Sequence, residues 1–545
     1  MVDAVVGSAL LLGMLVTYML LVPNSLHMMQ LQSYHTSEYF NWMIKNGKKV
    51  YKSGAIQFLI YTLALVIVYC VLRFVPELSL LGSYICVATL CLAFFVPNVV
   101  QIVKDMKERK NAKKPLKYTA RIKRLYFFSF ITVILLRVLF TEYLGESLMS
   151  MLLIYSFLIF TIPFNIIIAN FLADPTETMI NNHYINSAAR KLRKKEYNDL
   201  IRIGITGSYG KTSTKYILQT ILSEKYNVLA TPESYNTTMG NVRTIREKLQ
   251  PEHQVFISEM GARRRYDIQE ICNFVRPQIG IITSIGPQHL ETFKTIENVA
   301  KTKSELLVGL TYDGVAFLPL NDKYCKEIYQ KEKHEKYSYG INEKADVYAT
   351  DIKLSAKGST FTVVTKDDKF TCTTKLLGEH NVQNIIGSIA IALHLGLTKE
   401  EIMRGVEKIE PVPHRLQILS SPNGGIVIDD AFNSNPVGSK MALDVLKKFE
   451  GRKIIITPGM VELGTEEYKL NKEFGKQIAD AVDVAILVGV KRSKPIEEGL
   501  REKKFDENNI YIVNSLDEAT NRLTKLANPN NVVLFENDLP DNYNE

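Results

Sequence analysis

The sequence predicts an α-helical membrane domain followed by an α/β part built on parallel sheets. Three observations carry this. Long apolar runs recur five times before residue 175. From about Tyr197 onward, short apolar runs alternate with helix-like segments, the pattern of a parallel α/β sheet. Between one such run and one such segment stands a glycine-rich stretch, GITGSYGKTST at 204–214. A chain of 545 residues is too long for one core, so several domains are expected.

The apolar runs are Ala4–Val22, Ala55–Val75, Leu80–Val103, Leu125–Leu144 and Leu148–Leu172, which approach or reach the length needed to cross a bilayer. The net charge of +9 is unevenly placed: residues 1–200 hold 21 Lys/Arg against 11 Asp/Glu, the remainder 45 against 46. An excess confined to the loops between apolar runs argues for a membrane surface and against a nucleic-acid groove. Lys45, Lys48, Lys49 and Lys52 follow run one, ten basic residues from Lys104 to Arg124 follow run three, and Arg190 to Lys195 follow run five. The other two loops, Pro76–Ser79 and Thr141–Ser147, carry no basic residue. The positive-inside rule then predicts an outside N-terminus, five crossings and a cytoplasmic remainder. No basic residue precedes run one and no small-residue site follows it, so a cleaved signal peptide is not expected. The aromatic segment His27–Met43 reads either as an interfacial amphipathic helix or as an anchor for the next crossing. Arg137 is expected to snorkel towards Glu142, with a lipid-phosphate contact as the other reading. The six cysteines form no CxxC pair, and neither a disulfide framework nor a zinc site is suggested.

The chemistry begins at 204–214. An apolar strand, Leu200 to Ile205, leads into the glycine turn, and a helix is expected over Ser213–Leu222. Backbone N–H groups freed by such a turn cradle phosphate oxygens at a helix N-terminus. Gly207, Ser208, Gly210, Lys211, Thr212 and Ser213 form the candidate phosphate set, although Gly207 and Gly210 stand only three apart, closer than in GxxxxGK[ST]. Lys211 is placed to reach the terminal phosphates and the Thr212 hydroxyl to ligate Mg²⁺. Three more groups fall where strands end. Glu259 closes VFISE and suits a Mg²⁺ partner for Thr212, or a surface salt bridge. His289 follows a Gly-Pro turn, and Lys303 lies on a helix that by itself reads as a solvated face.

Taken together, these segments resemble the Mur ligase family, ATP-dependent ligases of bacterial cell-wall synthesis, nearest the branch that adds D-alanyl-D-alanine. The resemblance runs from about Arg202 to Leu534. TGSYGKTS (206–213) resembles the family's ATP loop, EMG (259–261) its magnesium glutamate and GPQHLE (286–291) its histidine turn. GEHNVQN (378–384), PVPHRLQ (411–417), IDDAFNSNP (428–436) and TPESYNTTMGN (231–241) resemble its adenine-side motif, hinge, nucleotide- and substrate-facing loop, and acceptor loop. The resemblance implies a P-loop ATPase-like central domain (176–410) and a smaller Rossmann-like C-terminal domain (411–545) behind the membrane domain (1–175). It implies ATP held by Asn381, Asn384, Arg415, Asp430, Asn433 and Asn435 as well as by the phosphate loop. It implies two Mg²⁺ ions on Thr212, Glu259, His289 and a carbamylated Lys303. It places Lys211, Glu259, His289 and Lys303 in the catalytic machinery, which makes an acyl phosphate and then an amide at a bacterial plasma membrane.

Three departures bear on substrate. Apolar runs stand in place of the family's soluble uridine-nucleotide domain, Pro458-Gly459 replaces its Gly-Asp, and VVLFENDLPDNYNE (532–545) replaces its Lys-Gly-Ser turn. The expected acceptor is a nucleotide- or lipid-linked envelope precursor or a poly-amino-acid chain, the missing nucleotide domain favouring a lipid-linked precursor or a polymer at the membrane, and the expected amine is an amino acid or dipeptide. An ATP-driven transporter is the reading from another class, against which stand the carbamylation-site lysine, the histidine turn and the lack of an LSGGQ-like signature.

Overall fold

The computed structural model describes residues 2–75, 80–110, 112, 114–145, 147–420, 425–432 and 434–539. The predicted loop 76–79, Glu146 of the second bare loop, Asn433 and residues 540–545 lie outside the described residues. The chain forms two compact units, one up to Asn181 and one over Asn182–Leu539.

The first unit is helical: α1 Val2–Leu31, α2 Thr36–Lys45, α3 Gly47–Phe74, α4 Leu80–Lys110, α5 Ala120–Leu144, α6 Leu148–Phe160 and α7 Ile162–Leu192, the last running on into the second unit. Ser8–Leu31, Val50–Phe74, Gly82–Lys110 and Ala120–Leu144 are long and apolar enough to cross a membrane. The predicted fifth crossing is not one straight helix, because α6 and α7 meet at 76°. Pro163 accounts for the break: it has no N–H to give the Ile159 carbonyl, and in a continuous helix its ring would crowd that carbonyl. The Thr161 carbonyl instead starts a new helix, accepting from Phe164 and Asn165 N–H at 2.9 Å each.

His27–Met43 is likewise two pieces. α1 continues to Leu31, Ser33 and Tyr34 turn the chain at φ 54° and 64°, and α2 buries Tyr39 and Met43 with Trp42 stacked on Tyr39. Part of the predicted basic loop is spent inside the unit. His27 bonds the Lys114 carbonyl at 2.7 Å, Gln30 holds the Lys117 C=O and N–H at 2.9 and 3.0 Å, and Arg124 grips the buried Glu177 at 2.5 and 2.9 Å. Among the described residues Arg137 makes no ion pair with Glu142, and its Nε is buried without a hydrogen-bond partner.

The second unit holds two sheets. The first contains β1 Ile201–Thr206, β2 Val228–Ala230, β3 Val255–Glu259, β4 Ile279–Ile282, β5 Val315–Pro319, β6 Glu335–Ile341, β7 Val347–Ser355, β8 Gly358–Val364 and β9 Lys369–Thr374. Their order is β2-β3-β1-β4-β5-β6-β7-β8-β9, parallel as far as β7 and antiparallel beyond. The second contains β10 Gln417–Ser420, β11 Ile426–Asp430, β12 Arg452–Thr457, β13 Val484–Val488, β14 Ile510–Val513 and β15 Asn531–Glu536, in the order β10-β11-β15-β12-β13-β14 with only β10 antiparallel. The predicted parallel α/β architecture is what the chain adopts.

Period-2 alternation divides the first sheet between two cores. Ile203, Ile205 and Ile281 pack against the helix α8 Lys211–Leu222, through Ile217 and Ile221, and against the helix Glu379–His394. Phe256 and Ile282 pack on the other face with Val242, Ile245, Ile268 and Leu306. α8 begins two residues before the predicted start, so Lys211 and Thr212 belong to its first turn.

One polar tie crosses the apolar layer under α8. Lys215, wholly buried, sends its ammonium to within 3.1 Å of Glu259 Oε2 at the end of β3 and also bonds the Glu233 carbonyl. Removing one member of a buried pair strands the other charge. Lys215→Ala is expected to lower the stability of the nucleotide-free protein by about 3–5 kcal/mol, measured from the denaturant midpoint. Adding Glu259→Gln should recover most of that loss, and equal losses in the single and double variants would show that the pair does not tie α8 to β3.

Candidate active site

β1 lies between β3 and β4, where the strand connections change direction, so the loop after it opens into a crevice at the carboxyl edge of the sheet. The loop is pinned to the end of β4. Ser208 N–H donates to the Ser284 carbonyl at 2.8 Å, Tyr209 N–H to Ser284 Oγ at 2.9 Å, and Tyr209 Oη to the Pro287 carbonyl at 2.9 Å. The Ser208 hydroxyl donates to the Gly286 carbonyl at 3.1 Å and accepts from Gly286 N–H at 3.0 Å. Ser208 is thus buried as a fastener of the loop. Gly210 has φ 80°, and a Cβ there would sit 2.6 Å from Asn384 Oδ1, so the turn into α8 requires glycine on both counts.

The first-turn N–H groups of α8, at Lys211, Thr212 and Ser213, have no intrahelical partner and carry the helix's positive end. Lys211 folds back, donating to the Gly207 and Ser208 carbonyls at 2.6 and 3.2 Å. Burial is the main force pulling its pKa down, to about 8, offset by Glu259 and reinforced by Arg415. Thr212 Oγ1 donates to Glu259 Oε1 at 3.0 Å, and Asn236 Nδ2 reaches the same oxygen at 3.1 Å. Asn236 belongs to the predicted acceptor loop, which is anchored by Asn241 Nδ2 on the Glu259 carbonyl at 3.0 Å and by Gly261 N–H on the Asn236 carbonyl at 2.7 Å. Glu259 Oε2 is buried and accepts no hydrogen bond of ordinary geometry, and Lys215 faces it as a charge alone.

Lys303 ends the helix Ile296–Lys303 and is 1% exposed. Among the described residues it has no hydrogen bond or ion pair. Burial, with the nearby Lys211 charge, drives its pKa well down. His289 stands at φ 51° just ahead of the short helix Leu290–Phe293, with its own pKa lowered by burial. The Lys303 charge acts on it, so Lys211, Lys303 and His289 share one neighbourhood. The solvated-face reading of Lys303 is therefore overturned, because the side chain is buried in the fold.

The second sheet brings Arg415 to the same place. Its charge acts on Lys211 and on His380, whose pKa burial takes to about 4, and its guanidinium lies 4.4 Å from the Phe432 ring centroid. Asp430 lies in register with Glu536 at the ends of β11 and β15. Burial raises both carboxyls, and Asp430 pushes Glu536 higher still, so the pair is expected to hold a proton between them beside Arg415. Two predicted contacts are partly spent on structure. Asn381 Nδ2 donates to the Leu377 carbonyl at 2.9 Å, and Asn435 Oδ1 caps the helix Pro436–Leu446 through Val437 and Gly438 N–H at 3.1 and 2.8 Å.

Lys215, Asn236, His380, Glu462 and Glu536 were not singled out from the sequence. Lys215 had a usable signal, a lysine one turn after Lys211 on the face of α8 that also carries buried apolar residues. Glu462 had none, because its contact, His289 Nδ1, is 173 residues away in sequence.

Residues 205–392 match the Mur ligase middle domain and residues 414–536 the Mur ligase glutamate ligase domain. A UDP-N-acetylmuramoyl-tripeptide–D-alanyl-D-alanine ligase of Bacillus subtilis is 28% identical over 338 residues, which is 61% of this chain and 72% of that protein. The protein of the same description from Haemophilus influenzae is 31% identical over 51% of this chain, which spans 61% of its length. A crystal structure of MurF from Acinetobacter baumannii superposes with a TM-score of 0.61 at 28% identity, covering 67% of this chain and 78% of that one. With both domains present in this order on this fold, the chain belongs to the Mur ligase family.

Proposed function

We propose that the chain is a membrane-anchored, ADP-forming amide ligase of bacterial cell-envelope synthesis, activating an acceptor carboxylate with ATP and joining it to an amino-acid or dipeptide amine. The observation that carries this is Lys303, a buried lysine that makes no ion pair among the described residues, with Lys211 and His289 close enough for their charges to interact with it and the Asp267 and Glu305 carboxylates acting on it only at a distance. A lysine deprived of its charge is a nucleophile towards CO₂, and the carbamate so formed is an anion. The residues fit metal. Glu259 is a buried carboxylate held beside the Thr212 hydroxyl by Thr212 and Asn236 on one oxygen and by the Lys215 charge on the other, a hard oxygen pair of the kind Mg²⁺ takes. Among the described residues no three His, Cys, Asp or Glu side chains gather into a metal-binding group. Carbamylation of Lys303 would therefore supply the missing anionic ligand next to His289. Two bound Mg²⁺ ions would neutralise the charge that builds as a carboxylate meets a phosphate.

The chain's own residues set up both steps. Loop and helix N–H groups hold the phosphates, Lys211 leaves the Gly207 and Ser208 carbonyls for the terminal phosphates, and Arg415 adds a cation from the second sheet. An acceptor carboxylate oxygen attacks the γ-phosphorus and the bond to ADP breaks, giving an acyl phosphate. The amine nitrogen then attacks the acyl carbon, phosphate leaves, and the nitrogen loses its proton as the amide forms.

The relatives' descriptions name a UDP-linked muramyl tripeptide and D-alanyl-D-alanine, and these are the first substrates to try. The four apolar helices favour an acceptor presented at the membrane, a lipid-linked precursor or a poly-amino-acid chain. The basic loops support an outside N-terminus and a cytoplasmic catalytic part at the plasma membrane.

Full-length protein in detergent, given ATP, Mg²⁺ and bicarbonate, is expected to release ADP only when both an acceptor and an amine are present; release needing neither would sink the ligase reading. Lys303→Ala should cut turnover by about 100-fold or more, with partial rescue by acetate or formate, and no rescue would count against the carbamate. Phosphate favours protonated Lys211, so binding is strongest below its pKa and weakens as pH rises through about 8. Affinity for a non-hydrolysable ATP analogue should fall about tenfold per unit above that value, and a flat profile to pH 9 would show that Lys211 does not lose its charge there.

A further inference from the structure

Glu462 lies on the turn after β12, in the second-sheet half of the unit, yet its carboxylate engages the first-sheet half. One oxygen meets His289 Nδ1 and the other lies 3.5 Å from an Arg263 guanidinium nitrogen. The Glu462 carbonyl accepts from Glu291 N–H at 3.4 Å. Both Glu462 and His289 adopt left-handed backbone conformations, at φ 64° and 51°, which non-glycine residues seldom take without a constraint from the surroundings.

An ionised carboxylate only accepts hydrogen bonds, so in the neutral ring the proton sits on Nδ1 and the lone pair on Nε2. That is the form in which imidazole ligates a metal, and a carboxylate behind the ring also fixes the ring's direction. We propose that Glu462 is a positioning residue for His289, so that the ligating form of the histidine is set from across the domain boundary and only while the two sheet domains are together. The proposal rests on the reading of His289 as a metal ligand given above. It makes the second-sheet domain a contributor to the metal site as well as to the nucleotide site.

Mn²⁺ titration followed by electron paramagnetic resonance tests this on the full-length protein with bicarbonate and a non-hydrolysable ATP analogue, a readout independent of turnover. The native chain should take two Mn²⁺ ions. Glu462→Ala should weaken the second by about 10–100-fold and leave the first unchanged. Glu462→Gln, whose amide oxygen still accepts from Nδ1, should stay within a few-fold of native. In a His289→Ala background, Glu462→Ala should cause no additional loss. Native-like binding of the second ion by Glu462→Ala, or a full additional loss in the His289→Ala background, would overturn the proposal and leave the ligase reading intact. A native chain that binds nucleotide with a single Mn²⁺ would overturn the assignment of His289 as a ligand, and the role of Glu462 with it.

Discussion

Everything in the site depends on β1 being hydrogen-bonded between β3 and β4 in a parallel sheet. Parallel pairing sends three strand ends out of one edge. β1 delivers the phosphate loop, β3 delivers Glu259, and β4 delivers Thr283 to Gly286, to which the loop is tied. Thr283 Oγ1 bonds the Tyr209 carbonyl, and Ser208 and Tyr209 donate to Ser284. With the loop clamped on that side, the first-turn N–H groups of α8 remain available to a ligand.

The site carries more buried positive than negative groups in its first-sheet half. Lys211 and Lys215 both act on Glu259, Lys303 lies close enough to Lys211 for their charges to interact, and Arg415 joins them from the second sheet. Burial lowers the pKa of each of these lysines, which limits their mutual repulsion while no polyanion is present. Lys215 is the exception in function, since it is satisfied internally by Glu259 and the Glu233 carbonyl. It holds the carboxylate in place and leaves Lys211 to move. On the other sheet, Asp430 and Glu536 offset part of the Arg415 charge in a buried cluster.

Most of the first-sheet site could be read from the chain because it is local. GITGSYGKTST states strand, turn and helix within eleven residues, and the helix begins only two residues from its expected start. Glu259 and His289 were marked by their positions at strand ends. Contacts made across the fold left no such mark. Asn435 looks like a ligand in IDDAFNSNP and is in part a helix cap, while Glu536 becomes a buried partner of Asp430 only when β15 inserts between β11 and β12. The membrane runs were legible by composition. The bend at Thr161 followed from Pro163, whose hydropathy says nothing about its missing N–H.

By itself the sequence determined the architecture, the phosphate loop and the identity of the groups that surround it, because periodicity, glycine placement and strand-end residues are properties of short stretches. The tertiary structure decided the state of those groups. Lys303 is buried, and that burial pushes its pKa well down. The Nδ1 atom of His289 meets Glu462, which reaches it from the other sheet. Burial and long-range pairing set charge and direction, and neither exists until the chain has folded.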